Sequence, residues 1–384
     1  MQSIFWISLF LVFYTYLGYG VVLAGMVLVK RLFTRQETPP AFFPEVTLVV
    51  PAYNEADYIA DKIANAFSLN YPEGRLKFLF VSDGSTDGTA EILKQTPGIK
   101  AIANPERRGK IEAINHAIQQ VETPVVVFSD ANTMLHPEAL IKMMRHFARP
   151  EVAAVAGEKR VIVDQKAGAA GAGEGIYWKY ESLLKKFDSE LYTVVGADGG
   201  LLSMRTALYE PVEKDTVLDD FMISMRLTAK GYRVVYEPEA YAMESPSFSV
   251  KEEMKRKIRI CAGGFQSIGR LVHLLNPFRY GLLTFQYVSH RVMRWTIAPL
   301  CLLILLISNI ALYGTSPFYQ ITLYGQVFFY LLAGIGYLLE RKKMRVKAFF
   351  IPFYFSFMNY SVFLGFARYM RNSQTQLWEK AKRA

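Results

Sequence analysis

Two apolar patterns divide the chain. Toward its ends the runs are long and almost uncharged: Ile4 to Val29, then Trp295 to Tyr313, Pro317 to Leu339 and Ala348 to Phe366. Each approaches or exceeds the roughly 20 helical residues that cross a bilayer core. In the middle, short β-branched runs alternate with amphipathic stretches. Val46 to Val50, Lys77 to Ser82, Ala101 to Ala103 and the apolar run from Pro124 that stops at Ser129 read as strands, with Val152 to Val163 and Arg233 to Glu237 completing a sheet. Glu55 to Leu69, Thr86 to Gln95, Gly109 to Gln120 and Leu135 to Phe147 read as the intervening helices. Such alternation predicts an α/β domain with a largely parallel sheet covered by helices.

Gly168 to Gly175 lacks the G-x-G-x-x-G spacing, with Ile176 where a third glycine would stand, and is expected to be a mobile loop. Ser249 to Leu275, with Lys251, Lys255, Arg256, Lys257, Arg259 and Arg270 among apolar positions, reads as a basic helix suited to a membrane interface. The expected organisation is an N-terminal anchor (1–35), an α/β domain (45–248), amphipathic interfacial helices (249–294), C-terminal transmembrane segments (295–368) and a basic tail (369–384).

Composition supports a membrane protein with a large soluble middle: 52% of the 384 residues are hydrophobic. The net charge of +10 crowds beside the apolar segments, at Lys30, Arg31 and Arg35, at Arg291 and Arg294, and from Arg341 to Lys347. That placement points to anionic lipid headgroups rather than nucleic acid, and puts the middle domain in the cytoplasm. A cleavable signal peptide would have a basic start, a shorter apolar core and a small-residue cleavage site, so a retained anchor fits better. Charge also puts the tail residues Arg368, Arg371, Lys380, Lys382 and Arg383 inside, whereas three C-terminal crossings would put them outside. The charge bias outweighs parity, and the last apolar segment, interrupted by Pro352 and Asn359, is expected to be re-entrant or interfacial. Cys261 and Cys301 make neither a disulfide framework nor a thiolate metal site.

Four polar clusters stand at the ends of successive strands, the edge where parallel sheets bind ligands. Pro51-Ala52-Tyr53-Asn54-Glu55 ends the first strand; a proline stop with Asn54 capping a helix would explain it, and Tyr53 also offers a face for stacking. Asp83, in Ser82 to Gly88, suits a turn or a hydrogen bond from a base or ribose. Lys110, after Arg108-Gly109, suits a solvated turn or phosphate oxygens. Ser129-Asp130-Ala131-Asn132 offers Asp130 and Asn132 as oxygen ligands for a divalent cation, or a strand-end turn.

In this order and at these spacings the four clusters resemble family 2 glycosyltransferases of the GT-A fold. The resemblance runs from Val46 to roughly Gly269, and the flanking apolar segments resemble the polysaccharide synthase branch, which includes cellulose, chitin, hyaluronan and poly-N-acetylglucosamine synthases. It implies a mixed, mostly parallel sheet flanked by transmembrane and interfacial helices, in a bacterial inner membrane. It also implies a nucleotide-sugar donor, usually UDP-linked, held by Pro51, Tyr53, Glu55, Asp83, Lys110 and Asp130, with Mg2+ or Mn2+ on Asp130 and Asn132. The family commonly has a second Asp where this chain has Asn132.

Asp219-Asp220 matches the family's acidic pair, making Asp220 the expected catalytic base with Asp219 beside it; an acidic first turn answering a helix dipole is the plainer explanation. Asp198, in Gly196 to Gly200, falls in the segment near the acceptor. Arg256 and Arg259 fall in the Gln-x-x-Arg-Trp motif, where Arg256 replaces Gln, Arg259 is retained for the diphosphate and Ile260 replaces Trp. Trp378 and Arg383 loosely match a tail motif of hyaluronan synthases. The resemblance thus implies an inverting transferase acting on a growing polysaccharide or a lipid-linked acceptor, with an export or partner subunit. A catalytically inactive nucleotide-sugar-binding subunit is the remaining alternative.

Overall fold

A computed structural model describes residues 1–34, 39–161, 168–245, 249–342, 344 and 346–371. Arg35, Ile162, Val163, Lys343, Arg345 and the tail residues Trp378, Lys380, Lys382 and Arg383 lie outside the described residues. The described chain forms two compact units: one from residues 29–161 and 185–245, the other from 1–28, 168–184 and 249–371.

The first unit is built on an eight-stranded sheet. Its strands are β1 (Val46–Ala52), β2 (Leu76–Asp83), β3 (Lys100–Asn104), β4 (Val125–Ser129), β5 (Thr133–Leu135), β6 (Val152–Val161), β7 (Leu201–Arg205) and β8 (Arg233–Glu244). The order is β3-β2-β1-β4-β7-β6-β8-β5. The β1–β2, β2–β3, β1–β4 and β6–β8 pairs are parallel, while β7 runs antiparallel to β4 and β6, and β5 antiparallel to β8. The sheet is therefore mixed and mostly parallel, as the resemblance implies.

β1 is buried at every position, so its apolar run reads as continuous rather than alternating. Leu48, Val50, Phe80, Val125 and Val127 share one core with Ile59, Ile63 and Ala66 of the helix Ala56–Phe67. Each fully buried Leu or Phe contributes about 2 kcal/mol of transfer free energy to that core.

The strand after Pro124 stops at Ser129, as expected, and the chain turns before β5, where Thr133 Oγ1 and the Thr133 amide both donate to the Asp130 carbonyl. Two expectations are corrected within the described residues. Gly168 opens a helix, Gly168–Leu191, rather than a mobile loop. The apolar segment around Pro352 is unbroken, a helix over Lys347–Met370. Pro352 stands six positions into that helix, where its missing amide removes one bond of the ladder without ending the helix.

The second unit is helical. Gln2–Phe33, Pro317–Arg341 and Ala348–Met370 are each long and apolar enough to cross a membrane. The run expected from Trp295 to Tyr313 is instead a pair, Leu282–Trp295 and Ile297–Ala311, bent by 53° and counting as a fourth candidate if taken as one span. Within the unit, Glu181 is buried among Arg291 (Nη1 to Oε1, 2.8 Å), Arg294 (Nη1 to Oε2, 2.7 Å) and His290 (Nε2 to Oε1, 3.2 Å). Burial opposes its charge, but the two guanidiniums and His290 hold its carboxyl well below the usual range.

Candidate active site

The site forms where β1, β2 and β4 end. After β1 the chain turns at Asn54, whose φ of 52° is left-handed and tolerable for an asparagine. Asn54 does not cap the next helix; that position is Glu55. Instead the Asn54 side chain accepts from the Thr86 amide at 2.8 Å, while Ala56 and Glu55 amides donate to Asp87 and Thr89. These bonds tie the first two polar loops together. Pro51 is buried at the end of β1, and Glu55 is buried beside it. One face of the Tyr53 ring is covered by the Arg107 guanidinium, 3.8 Å from its centroid, a cation–π contact.

Asp83 is buried and its carboxylate accepts the Arg108 amide (2.9 Å) and the Gly109 amide (2.7 Å). It thereby shapes the loop that delivers Lys110. Gly84 is required beside it: with φ +64° and the Arg107 backbone against its Cα, it has no room for a side chain.

Lys110 starts the helix Lys110–Ile118 and reaches three carboxylates, Asp130 Oδ1 at 3.0 Å, Asp219 Oδ2 at 3.2 Å and Asp220 Oδ2 at 3.8 Å. Burial disfavours its charge, yet Asp130, Asp219 and Asp220 together raise its pKa well above the ordinary value. Asp130 is likewise desolvated, but Lys110, Lys159 and Lys62 keep its pKa low. Asp219 and Asp220 occupy the first turn of the helix Asp219–Ala229. Asp220 differs from its neighbours: desolvation, then the charge of Asp219, with Asp130 and Asp198 also contributing, push its pKa up to about 8 against the opposing pull of Lys110. When ionised, a carboxyl with a raised pKa is a stronger base than an ordinary aspartate.

The glycines of Gly196 to Gly200 have steric causes. Gly196 has φ +81° and lies against the Phe221 ring, and a Cβ on Gly199 would run into Asp220 Oδ2. Asp198, between them, is ion-paired with Lys185.

The geometry suits a divalent cation in two respects. The Lys110 ammonium shows that Asp130 and Asp219 converge on one positive charge. The Asn132 Oδ1 is buried with no hydrogen-bond partner, an orphaned acceptor beside Asp130.

The structure thus brings Lys110, Asp130, Asp219 and Asp220 together in the sheet unit, with Asp83 behind the Lys110 loop. Arg256 and Arg259 belong to the helical unit, in the helix Val250–Arg270, where Arg256 faces Glu253 at 3.4 Å. Inspection of motifs missed Lys62, Lys159 and Lys185. Lys62 left a signal: with Ile59, Ile63 and Ala66 it lies on the buried stripe of an amphipathic helix, where a lysine is out of place.

A mixed sheet whose strand ends gather Asp130, Lys110 and an acidic pair is the architecture of the GT-A fold class. Residues 47–210 match the model of glycosyl transferase family 2. The chain is 28% identical over 235 residues to a poly-beta-1,6-N-acetyl-D-glucosamine synthase of Staphylococcus aureus (strain MSSA476), covering 59% of this chain and 56% of that protein. A synthase of the same name from Staphylococcus epidermidis is 27% identical over the same shares. The match therefore spans a little over half the length of these relatives. Among solved structures, a mannosyltransferase from Pyrobaculum calidifontis in complex with GDP-Man and Mn2+ superposes with a TM-score of 0.70 at 19% identity, covering 96% of this chain and 99% of that one.

Proposed function

We propose that the protein is a membrane-bound inverting glycosyltransferase that moves a sugar from a nucleotide-sugar, taken to be UDP-linked, onto a growing polysaccharide. The observation that carries this reading is the convergence of Asp130, Asp219 and Asp220 on Lys110. The synthase relatives support the polysaccharide product. The apolar helices support a bilayer location, with the basic flanks favouring a cytoplasmic catalytic domain.

In this mechanism Asp220 takes the proton of the acceptor hydroxyl as its oxygen attacks the anomeric carbon. The bond from that carbon to the diphosphate oxygen breaks on the opposite side, and its electron pair leaves with the nucleoside diphosphate, inverting the configuration. Lys110, drawn toward the departing diphosphate, stabilises the charge that develops there. Asp130 and the Asn132 carboxamide would hold Mg2+ or Mn2+, which supplies Lewis-acid stabilisation to the same oxygens. Tyr53, Pro51 and Glu55 line the nucleoside end, and Asp83 fixes the Lys110 loop. Asp198 is assigned to the acceptor side, and Arg256 and Arg259 to the diphosphate.

A second reading, a single transfer to a lipid-linked acceptor, is favoured by Arg256 and Ile260 standing where the synthase motif has Gln and Trp. Product length separates the two: incubation of purified enzyme with a radiolabelled donor yields a polymer ladder on the first reading and a single-sugar product on the second. Asp220→Asn is expected to lower transfer by at least about a hundredfold. Undiminished turnover in that variant would remove Asp220 as the base.

A further inference from the structure

Under the loop that carries Asp130 and Asn132 lies a lysine with no part in the mechanism above. Lys62 sits in the middle of the helix Ala56–Phe67 and is fully buried. Its ammonium donates to Ser129 Oγ at 2.7 Å and to the Thr133 carbonyl at 2.6 Å, the residues on either side of Asp130-Ala131-Asn132. Ser129 and Thr133 are themselves buried, their hydroxyls are 3.1 Å apart, and Thr133 Oγ1 donates back to the Asp130 carbonyl. Three residues along the same helix, Asn65 exchanges two hydrogen bonds with Leu135, each of 2.8 Å, fixing the strand that follows. One helix face therefore grips the loop at its start, its end and its exit.

A buried ammonium is costly to desolvate, and an apolar residue at this point of the stripe would give a better-packed core. Burial in fact pulls the Lys62 pKa down to about 7 despite the nearby Asp130. A buried amine bonded to both ends of a ligand-bearing loop acts on that loop.

We propose that Lys62 is a positioning residue for cation binding: by bonding Ser129 and Thr133 it holds the turn in which Asp130 and the Asn132 carboxamide face one cation. The proposal rests on the assignment of Asp130 and Asn132 as ligands. Electrostatics alone predicts the opposite effect of its removal, because deleting a positive charge beside Asp130 should tighten binding of Mn2+. Positioning predicts weaker binding.

The test is Mn2+ titration of the full-length protein in detergent, following loss of the free Mn2+ signal by electron paramagnetic resonance. Lys62→Met, of similar length and uncharged, is expected to raise the Kd for Mn2+ about tenfold, the usual effect of removing an outer support of a metal site. The Mn2+ concentration for half-maximal activity should rise in parallel while kcat at saturating Mn2+ is largely kept, a split that general destabilisation would not give. Unchanged or tighter Mn2+ binding in Lys62→Met overturns the proposal. Ser129→Ala, which removes only one acceptor of the ammonium, should shift Kd in the same direction by less; if Lys62→Met does not fold, unchanged binding in Ser129→Ala overturns it instead. Wild-type protein that binds no Mn2+ would overturn the cation assignment itself together with this inference, whereas wild-type binding matched by the variants would overturn the role of Lys62 alone.

Discussion

At Asp220 one carboxyl is asked to be buried, close to another carboxylate and still available to a proton. Its folded pKa of about 8 lies above the ordinary aspartate value, so the folded protein binds this proton where the unfolded chain has released it. Stability of the metal-free protein from this group is therefore full below about pH 4 and declines as pH rises toward 8. Asp220→Asn removes that decline, and is expected to stabilise the metal-free protein at both pH 5 and pH 8, with a clearly larger gain at pH 8 than at pH 5. Thermal unfolding at the two pH values checks it; equal effects at both would contradict the assigned environment. Gly199 makes a companion case. A methyl there displaces the Asp220 carboxylate, so Gly199→Ala should lose at least about tenfold in turnover while the protein still folds. Circular dichroism beside an activity assay separates misplacement from unfolding. Asp130, Lys110 and the acidic pair were legible from residue type and order, because each polar cluster interrupts an apolar run at a strand end. What could not be read was their mutual distance, nor that Asp83 is engaged with two backbone amides of the Lys110 loop.

Among the elements, the parallel β1–β4 half was readable because buried strands give uninterrupted β-branched runs. β5 and β7 were not, since Thr133–Leu135 is three residues long and Leu201–Arg205 follows a glycine turn with no periodic signal of its own. The helix Gly168–Leu191 was misread for a physical reason. Glycines in a helix interior cost about 1 kcal/mol each relative to alanine, so local propensity argues against it. Its later residues supply the ties: Glu181 to Arg291 and Arg294, Lys185 to Asp198, and Glu190 to Arg31 at 2.6 Å. Arg31, read from sequence as a topological signal, thus also closes the end of this helix, with Lys30 donating to the Glu190 and Leu191 carbonyls. Glu181→Ala would leave two guanidiniums without their shared carboxylate, and is expected to cost about 3–5 kcal/mol. The unfolding midpoint of the detergent-solubilised protein should fall accordingly, and a change within a degree would contradict the role given to Glu181.

Across the full chain, the apolar ends and the α/β middle were plain in the sequence, because bilayer-length runs and strand–helix alternation have different periods. The positions of bends were not: the broken pair parts at Thr296, three residues before Pro299, whose ring removes the hydrogen bond to the Trp295 carbonyl, while the segment containing Pro352 forms one helix. With three or four helices of crossing length, the full chain should remain in the membrane pellet after alkaline carbonate washing. Release into the supernatant would contradict a membrane-spanning arrangement. Everything proposed for the site depends on sugar leaving a nucleotide donor, with Asp220 as base and a cation on Asp130 and Asn132. Nucleoside diphosphate release from a panel of nucleotide-sugars, by purified full-length enzyme with acceptor and Mn2+ present, measures that step. Release is expected with at least one donor, abolished by chelator and reduced at least about a hundredfold by Asp220→Asn. Release unaffected by both would contradict the assignment of base and cation alike.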